Sequence, residues 1–292
     1  MAATYPVLSV EDFGAQLLKT GDLDPVYVAL YKASLEPKIL DRVCLAYWCF
    51  YHLGAACKLA EAKSDRAFWD GMNAAALNAS RADGSKPWPR GAERRHFRGA
   101  QATSAMSELS GRYKTASSAV EGMIGPRGVA HTYGQVALRA RSHRGFGEWI
   151  AFKIADMSER VLGYATDFSD CHLGIYKDPR QGAALVWYKR AQAGGSVIGT
   201  YAERPWTYPI NNEDFKTTVD TLVKEFRARK FKAPPNGNRP VNVQEIETIL
   251  CKWKAHYKGH YPLLKDSHEL MHGLNGWGDL AQHVQKGAPR GA

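Results

Sequence analysis

The sequence predicts a mainly α-helical fold, on three observations. Apolar residues recur at helical spacing in one segment after another, and capping residues stand where those segments begin. Only one stretch, near residues 183–210, is rich in strand formers. A chain of 292 residues is long enough for a large core and one or two domains. The expected division is a helical domain over 1–232 and a helical extension over 233–292 packed on the same core.

In chain order, residues 1–40 read as short helices with turns. Ser9 caps the first, with Asp12 in the capping-box position, and Asp24-Pro25 marks a break. Asp41 to Lys63 is apolar nearly all round, with Tyr47, Trp48, Phe50 and Tyr51, and predicts a central buried helix. Its aromatic density suits core packing better than a base pocket. Ser64 or Asp65 caps a further helix with Phe68, Trp69 and Met72.

Residues 81–99 are loop-like, broken by Gly84, Pro87 and Pro89. Within the nine residues 90–98 they carry Arg90, Arg94, Arg95 and Arg98, with only Glu93 to balance them. Guanidinium groups bind phosphate oxygens bidentately, so this cluster is a candidate phosphate site, set against a plain solvated basic loop.

Residues 100–140 read as helical with glycine punctuation. Then comes Arg144-Gly145-Phe146-Gly147, a Gly-x-Gly turn that opens directly into a helix. Ile150, Ile154, Met157 and Val161 share one face of that helix, and Lys153, Asp156 and Arg160 lie off it. Gly163 ends it. The unpaired backbone N–H groups at such a helix start, aided by the dipole, can hold a phosphate. An ordinary helix–helix turn explains the glycines equally well. No Gly-Lys-Ser/Thr follows, which excludes a P-loop.

Residues 183–210 predict short strands or an irregular loop. Asp214 is expected to cap a basic helix with Val219, Leu222 and Phe226 inward. Asn242 and Glu245 form a capping box for a helix running to about Tyr257, and the glycine-rich tail after Trp277 is expected to fray.

The net charge of +10 favours a polyanionic partner such as nucleic acid. No run of 18 apolar residues exists, so no transmembrane helix is expected, and the N-terminal residues lack the pattern of a signal peptide. Five scattered cysteines without a CxxC pair suggest reduced thiols and a cytoplasmic protein. His268-Glu269-Leu270-Met271-His272 matches the zinc motif H-E-x-x-H, but the third ligand is missing at the usual spacings, so no metal site is expected there.

The hairpin Gly145-Phe-Gly147-Glu-Trp-Ile-Ala-Phe-Lys-Ile-Ala-Asp156 and the Tyr/Asp-rich stretch after it resemble the helix-hairpin-helix DNA glycosylase superfamily. The likeness implies a glycosylase-like helical fold with its hairpin at 144–163. It places that superfamily's catalytic aspartate at Asp167, with Asp170 close behind, and its lyase lysine at Trp149. A closer resemblance is to the phage alpha-glutamyl/putrescinyl thymine pyrophosphorylase family, which includes amino acid:DNA transferases. Tyr47-Trp48-Cys-Phe50-Tyr51-His-Leu-Gly54, Phe68-Trp69, Arg94-Arg95-His96-Phe97 and Cys251-Lys-Trp-Lys-Ala-His256-Tyr-Lys258-Gly-His260 to Lys265-Asp266 carry it.

That resemblance implies a bacteriophage enzyme of the host cytoplasm that modifies thymidine in DNA. An amino acid, glycine foremost, or another amine such as a polyamine would displace pyrophosphate from 5-pyrophosphoryloxymethyl-deoxyuridine after base flipping. Asp167 and Asp170 are the expected catalytic carboxylates. Arg94, Arg95 and Arg98 would bind the pyrophosphate, with Lys258, His260, Lys265 and Asp266 as further substrate contacts. Arg144, Gly145, Gly147 and Lys153 would hold DNA. The leaving pyrophosphate calls for cations, either these side chains or a divalent metal such as Mg. A DNA glycosylase and a non-catalytic DNA-binding protein are the competing readings.

Overall fold

The structure is a computed structural model that describes residues 5–195 and 199–290. It is mainly α-helical. The chain forms two compact units, here called the hairpin unit (Val26–Asp170 and Glu269–Ala288) and the terminal unit (the described parts of Met1–Pro25, Cys171–His268 and Pro289–Ala292).

The hairpin unit is built on α3 (Pro37–Phe50), α4 (Leu53–Ala60), α5 (Asp65–Leu77), α6 (Gly99–Arg112), α7 (Ala116–Ile124), α8 (Tyr133–Arg141) and α9 (Glu148–Arg160). Most of α2 (Pro25–Ala33) and all of α14 (Asp279–Gly287) also belong to it. Two-residue strands β1 (His131–Thr132) and β2 (Thr166–Asp167) pair in parallel. Burying Trp48, Phe50, Phe68, Phe152 and Met106 forms its core, at roughly 1.5–3 kcal/mol each.

The expected single helix from Asp41 to Lys63 is two helices. Tyr51 breaks it by entering the left-handed region at φ 52°, ψ 35°. Gly91 crosses at the break: its N–H donates to Phe50 O at 3.0 Å, and a Cβ there would lie 2.3 Å from Tyr51 O. A tertiary contact therefore ends a helix whose own sequence would continue it.

The described tail, residues 278–290, does not fray. α14 buries Ala281 and Val284. Glu61 accepts from Leu280 N at 2.9 Å at its start, and His283 Nε2 meets Ala33 O at 2.9 Å.

The terminal unit holds α1 (Val10–Thr20), α10 (Lys177–Ala193), α11 (Asn212–Ala228) and α12 (Val243–Tyr257). α11 and α12 lie on either side of position 232 in one unit. Ser9 caps α1 and Asn242–Glu245 caps α12, as the spacing predicts. Asn211, not Asp214, caps α11; its side chain accepts from Asp214 N at 2.8 Å.

Of the region expected to form short strands or an irregular loop, the part to Ala193 is helix, because α10 runs through Val186, Trp187 and Tyr188, while the described residues beyond it form turns and the short 3-10 segments Gly199–Tyr201 and Pro205–Thr207. The reason is packing. Gly182, Ala183 and Ala184 are buried, and a Cβ on Gly182 would lie 2.4 Å from Leu250 O of α12. Small residues let two helix backbones meet closely, which outweighs the β-preference of three side chains. The expected strand residues Val197 and Ile198 lie outside the described residues.

One buried carboxylate organises this unit. Asp22 is fully buried and accepts from Tyr261 OH (3.0 Å), Leu264 N (2.9 Å), Ser267 N (2.8 Å) and Ser267 Oγ (2.7 Å). It thereby ties α1's exit to the start of α13 (Lys265–Leu274).

Candidate functional site

The Gly-x-Gly turn forms as the sequence requires. Gly145 has φ 84°, a value that favours glycine, and a Cβ there would lie 2.6 Å from the Phe97 ring. Gly147 stands at the start of α9, where no side chain caps the helix. This start of a 13-residue helix lies beside exposed Arg144, and the helix dipole there favours an anion.

Arg94 is what holds this turn. It is buried, donating through Nε to Cys49 O at 3.0 Å and through Nη1 to Gly145 O at 2.7 Å, with its guanidinium 4.1 Å from the Phe97 ring centroid. Its placement differs from the expected pyrophosphate contact, because its donors go to backbone and Nη2 is buried as well. Arg90 behaves alike, giving hydrogen bonds to the carbonyls of Phe97, Trp88, Pro89 and Ala75. Burial lowers the Arg90 pKa to about 10. Arg95 and Arg98 are exposed, and the Arg95 guanidinium donates to Ala92 O at 2.8 Å. The arginine cluster is thus split between two that build the loop and two that face solvent.

The α9 helix departs most from expectation. Lys153, placed on the polar face by periodicity, is only 8% exposed, so it is not available to a DNA backbone as the surface contact the sequence predicted. Its Nζ lies 5.2 Å from the Phe152 ring. Asp156 is fully buried one turn on, accepting from Tyr27 OH at 3.0 Å and pairing with buried Arg160 at 3.3 Å. Polar residues were sorted to solvent by periodicity alone, whereas this helix buries apolar and charged faces together.

Beside them stands an aromatic wall. Tyr47 and Tyr51 stack at 4.6 Å, and Trp149 meets Tyr51 edge-on at 4.9 Å. Burial and the neighbouring Tyr51 phenol push the Tyr47 pKa well up, while Lys153 pulls the other way. Tyr51 owes its position to the left-handed turn held by Gly91. The aromatic residues were visible in the sequence; their convergence with Trp149 and Lys153 was not.

Asp167 and Asp170 sit on the exposed loop after β2's start. Asp167 accepts from Ser169 Oγ at 2.5 Å and Ser169 N at 3.0 Å, and these bonds lower its pKa. Asp170 accepts from Gly134 N at 3.0 Å, at the first turn of α8. A Cβ at Gly134 would crowd that oxygen at 2.7 Å. Both carboxylates therefore have local turn- and helix-capping work.

Lys258, His260, Lys265 and Asp266 lie in the terminal unit. Asp266 pairs with Lys252 at 2.6 Å, Lys265 donates to His260 O at 3.2 Å, and Lys258 Nζ lies 5.2 Å from the Trp206 ring. His268 and His272 of the H-E-x-x-H stretch are exposed on α13. Among the described residues, no group of three or more His, Cys, Asp or Glu is arranged to hold a metal ion. No helix among them is long and apolar enough to cross a membrane.

A basic glycine turn feeding an uncapped helix, with an aromatic wall beside it, suits a protein that handles a phosphate-bearing partner and a planar group. Residues 14–261 match the family model described as amino acid:DNA transferase. The chain is 41% identical to a glycinyltransferase of Pseudomonas phage PaMx11, over 98% of this chain and 96% of that protein. It is 27% identical to a putrescinyltransferase of Delftia phage PhiW-14, over 93% of this chain and 80% of that one. The chain belongs to the amino acid:DNA transferase family.

Proposed function

We propose that this enzyme joins the amino group of glycine to a thymine-derived base in phage DNA, displacing pyrophosphate from 5-pyrophosphoryloxymethyl-deoxyuridine. The observation that carries the choice of glycine is the near full-length likeness to a phage glycinyltransferase. The more distant putrescinyltransferase marks a diamine as the other nucleophile class. The setting would be the cytoplasm of an infected bacterium.

The chemistry is a displacement at the methylene carbon. The amine nitrogen forms the new C–N bond, the C–O bond breaks, and pyrophosphate leaves with the electron pair. The ammonium formed must lose a proton, and the amine must be neutral to attack. Asp167, whose pKa the Ser169 bonds lower, is ionised at neutral pH and is the first choice for orienting the amine. Asp170 is the second.

Arg95 and Arg98 have the exposure to meet the pyrophosphate. Arg144 and the Gly145–Gly147 turn would hold the DNA backbone. A divalent cation carried by pyrophosphate would supply the remaining neutralisation. The modified base would be extruded from the stack, because its methylene must be reached in line. Tyr51 and Trp149 offer it a stacking surface.

The test is to incubate the protein with DNA bearing pyrophosphorylated 5-hydroxymethyluracil and an amino acid mixture, then digest to nucleosides for mass spectrometry. The expected result is a glycine adduct with pyrophosphate release. An abasic site instead would make the protein a glycosylase, and an unchanged nucleoside pool would remove the transferase reading.

A further inference from the structure

The terminal unit carries an aromatic, basic face that the transfer chemistry does not use. Trp187 of α10 stacks on Tyr208 with ring centroids 4.6 Å apart and planes at 15°. Tyr201 meets Tyr208 edge-on at 5.3 Å. Two residues before Tyr208, Trp206 meets Tyr257 of α12 at 6.2 Å. All five rings are half-buried, so part of each remains open to solvent.

Lysines frame the rings. Lys258 Nζ lies 5.2 Å from the Trp206 ring, and Lys189 Nζ lies 5.1 Å from the Tyr257 ring. Lys189 is exposed and Lys258 half-exposed. Arg204, also exposed, is the cation of the 199–208 segment itself, next to Glu203.

We propose that this face is a stacking platform for unpaired nucleotides of a DNA strand. It rests on the reading that DNA is the substrate, and concerns how the strand is held rather than the chemistry done on it. Half-buried aromatic rings cost solvation that a folded core would avoid, and here five are collected from α10, α12 and the 199–208 segment. Bases present a π-face whatever their sequence, and the phosphates between them match cations at the platform's edge. A duplex hides those base faces, so the fit is to unpaired strand. Extruding a base for modification leaves its neighbours and the opposite base without their stacking partners, and a platform would stabilise the opened strand.

The rings need no rearrangement to serve this purpose. Trp187 and Tyr208 hold one another in place, and Ile210, next along, is fixed by Arg180 donating to its carbonyl at 2.5 Å. Stiff aromatic side chains lose little conformational freedom when a base stacks on them.

The test uses the full chain with unmodified oligo(dT) and a duplex of equal length, and no amine, with binding read by fluorescence anisotropy. Trp206→Ala with Tyr208→Ala is expected to weaken oligo(dT) binding about tenfold or more, and duplex binding less than about twofold. Lys189→Glu with Lys258→Glu, with thermal melting to show that the variant is folded, should weaken oligo(dT) binding more than duplex binding. Lys189→Ala with Lys258→Ala should flatten the dependence of log affinity on log salt by roughly 0.7 per lysine. Unchanged oligo(dT) affinity in the glutamate pair, or equal losses for oligo and duplex, would overturn the proposal. Because no product is measured, these outcomes stand whether or not glycine transfer does.

Discussion

The arginine loop at 90–98 and the aromatic face built from the 199–208 segment, α10 and the end of α12 both bring rings and cations together, yet they use them in opposite ways. In the loop, Arg90 and Arg94 turn inward and donate to main-chain carbonyls, with Phe50 and Phe97 under their guanidiniums. At the aromatic face, the rings stay half open, with Lys258 Nζ near Trp206 and Lys189 Nζ near Tyr257 of α12. The difference teaches that a cation's role follows from where its donors are already committed. An arginine whose hydrogen bonds go to backbone is part of the scaffold, however basic its neighbourhood looks in sequence.

The sharpest break of that comparison is Arg94→Ala. It leaves the carbonyls of Cys49 and Gly145 unmet and empties the space over Phe97. We expect a loss of roughly 3 kcal/mol in denaturant unfolding. A loss below about 1 kcal/mol would mean that the guanidinium faces a ligand after all.

A similar inward commitment governs His52, which caps α4 by accepting from Ala55 N through Nδ1 at 3.1 Å. Burial lowers its pKa to about 4 from the usual 6.5. A depressed histidine pKa means that the unfolded chain binds the proton more tightly. The stability His52 contributes is therefore complete above pH 6.5 and lost as pH falls toward 4, by up to roughly 2–3 kcal/mol. His52→Asn, which keeps a cap acceptor but does not titrate, should flatten the unfolding profile over that interval.

The glycine turn separates the two behaviours within three residues. Gly145→Ala forces an unfavourable φ and meets the Phe97 ring, costing roughly 2 kcal/mol. Gly147 has open space around it and an ordinary φ of −87°, so Gly147→Ala should leave stability nearly unchanged. If it instead weakens DNA binding, close approach of the DNA backbone at that turn is the reason, and a salt titration of both variants would show it.

The smallest effects on stability, and the largest on chemistry, are expected from outward groups. Arg95→Ala should leave the unfolding midpoint in place and cut transfer far more than DNA affinity. Equal losses in both would make Arg95 a general DNA contact. Asp170→Asn keeps an acceptor for Gly134 N, so a large fall in transfer without a change in melting would assign that carboxylate to the reaction.

Local features of the site were legible before the fold. The Gly-x-Gly turn, the start of the helix after it and the caps at Ser9 and Asn242 follow from side-chain and backbone chemistry within a few residues. Periodicity assigns every polar side chain to solvent, which puts Lys153 on the surface, whereas the fold buries it. Asp156, Arg160 and Tyr27 compensate one another across 129 residues of chain, and spacing on one helix cannot reveal such a partner. The local pattern places Tyr51 inside a continuous helix, since the glycine that meets the break comes 40 positions later.

The helical class, the basic balance, the Gly-x-Gly turn and, through its resemblance, the family could be read from the sequence, because these rest on short-range pattern and composition. Only the tertiary structure decided which arginines are scaffold, that residues 183–193 are helix and that the tail folds as α14. It also decided that Tyr47, Tyr51, Trp149 and Lys153 share one wall. Each of those outcomes depends on a contact between distant segments, where close packing and hydrogen-bond satisfaction override what any one segment prefers.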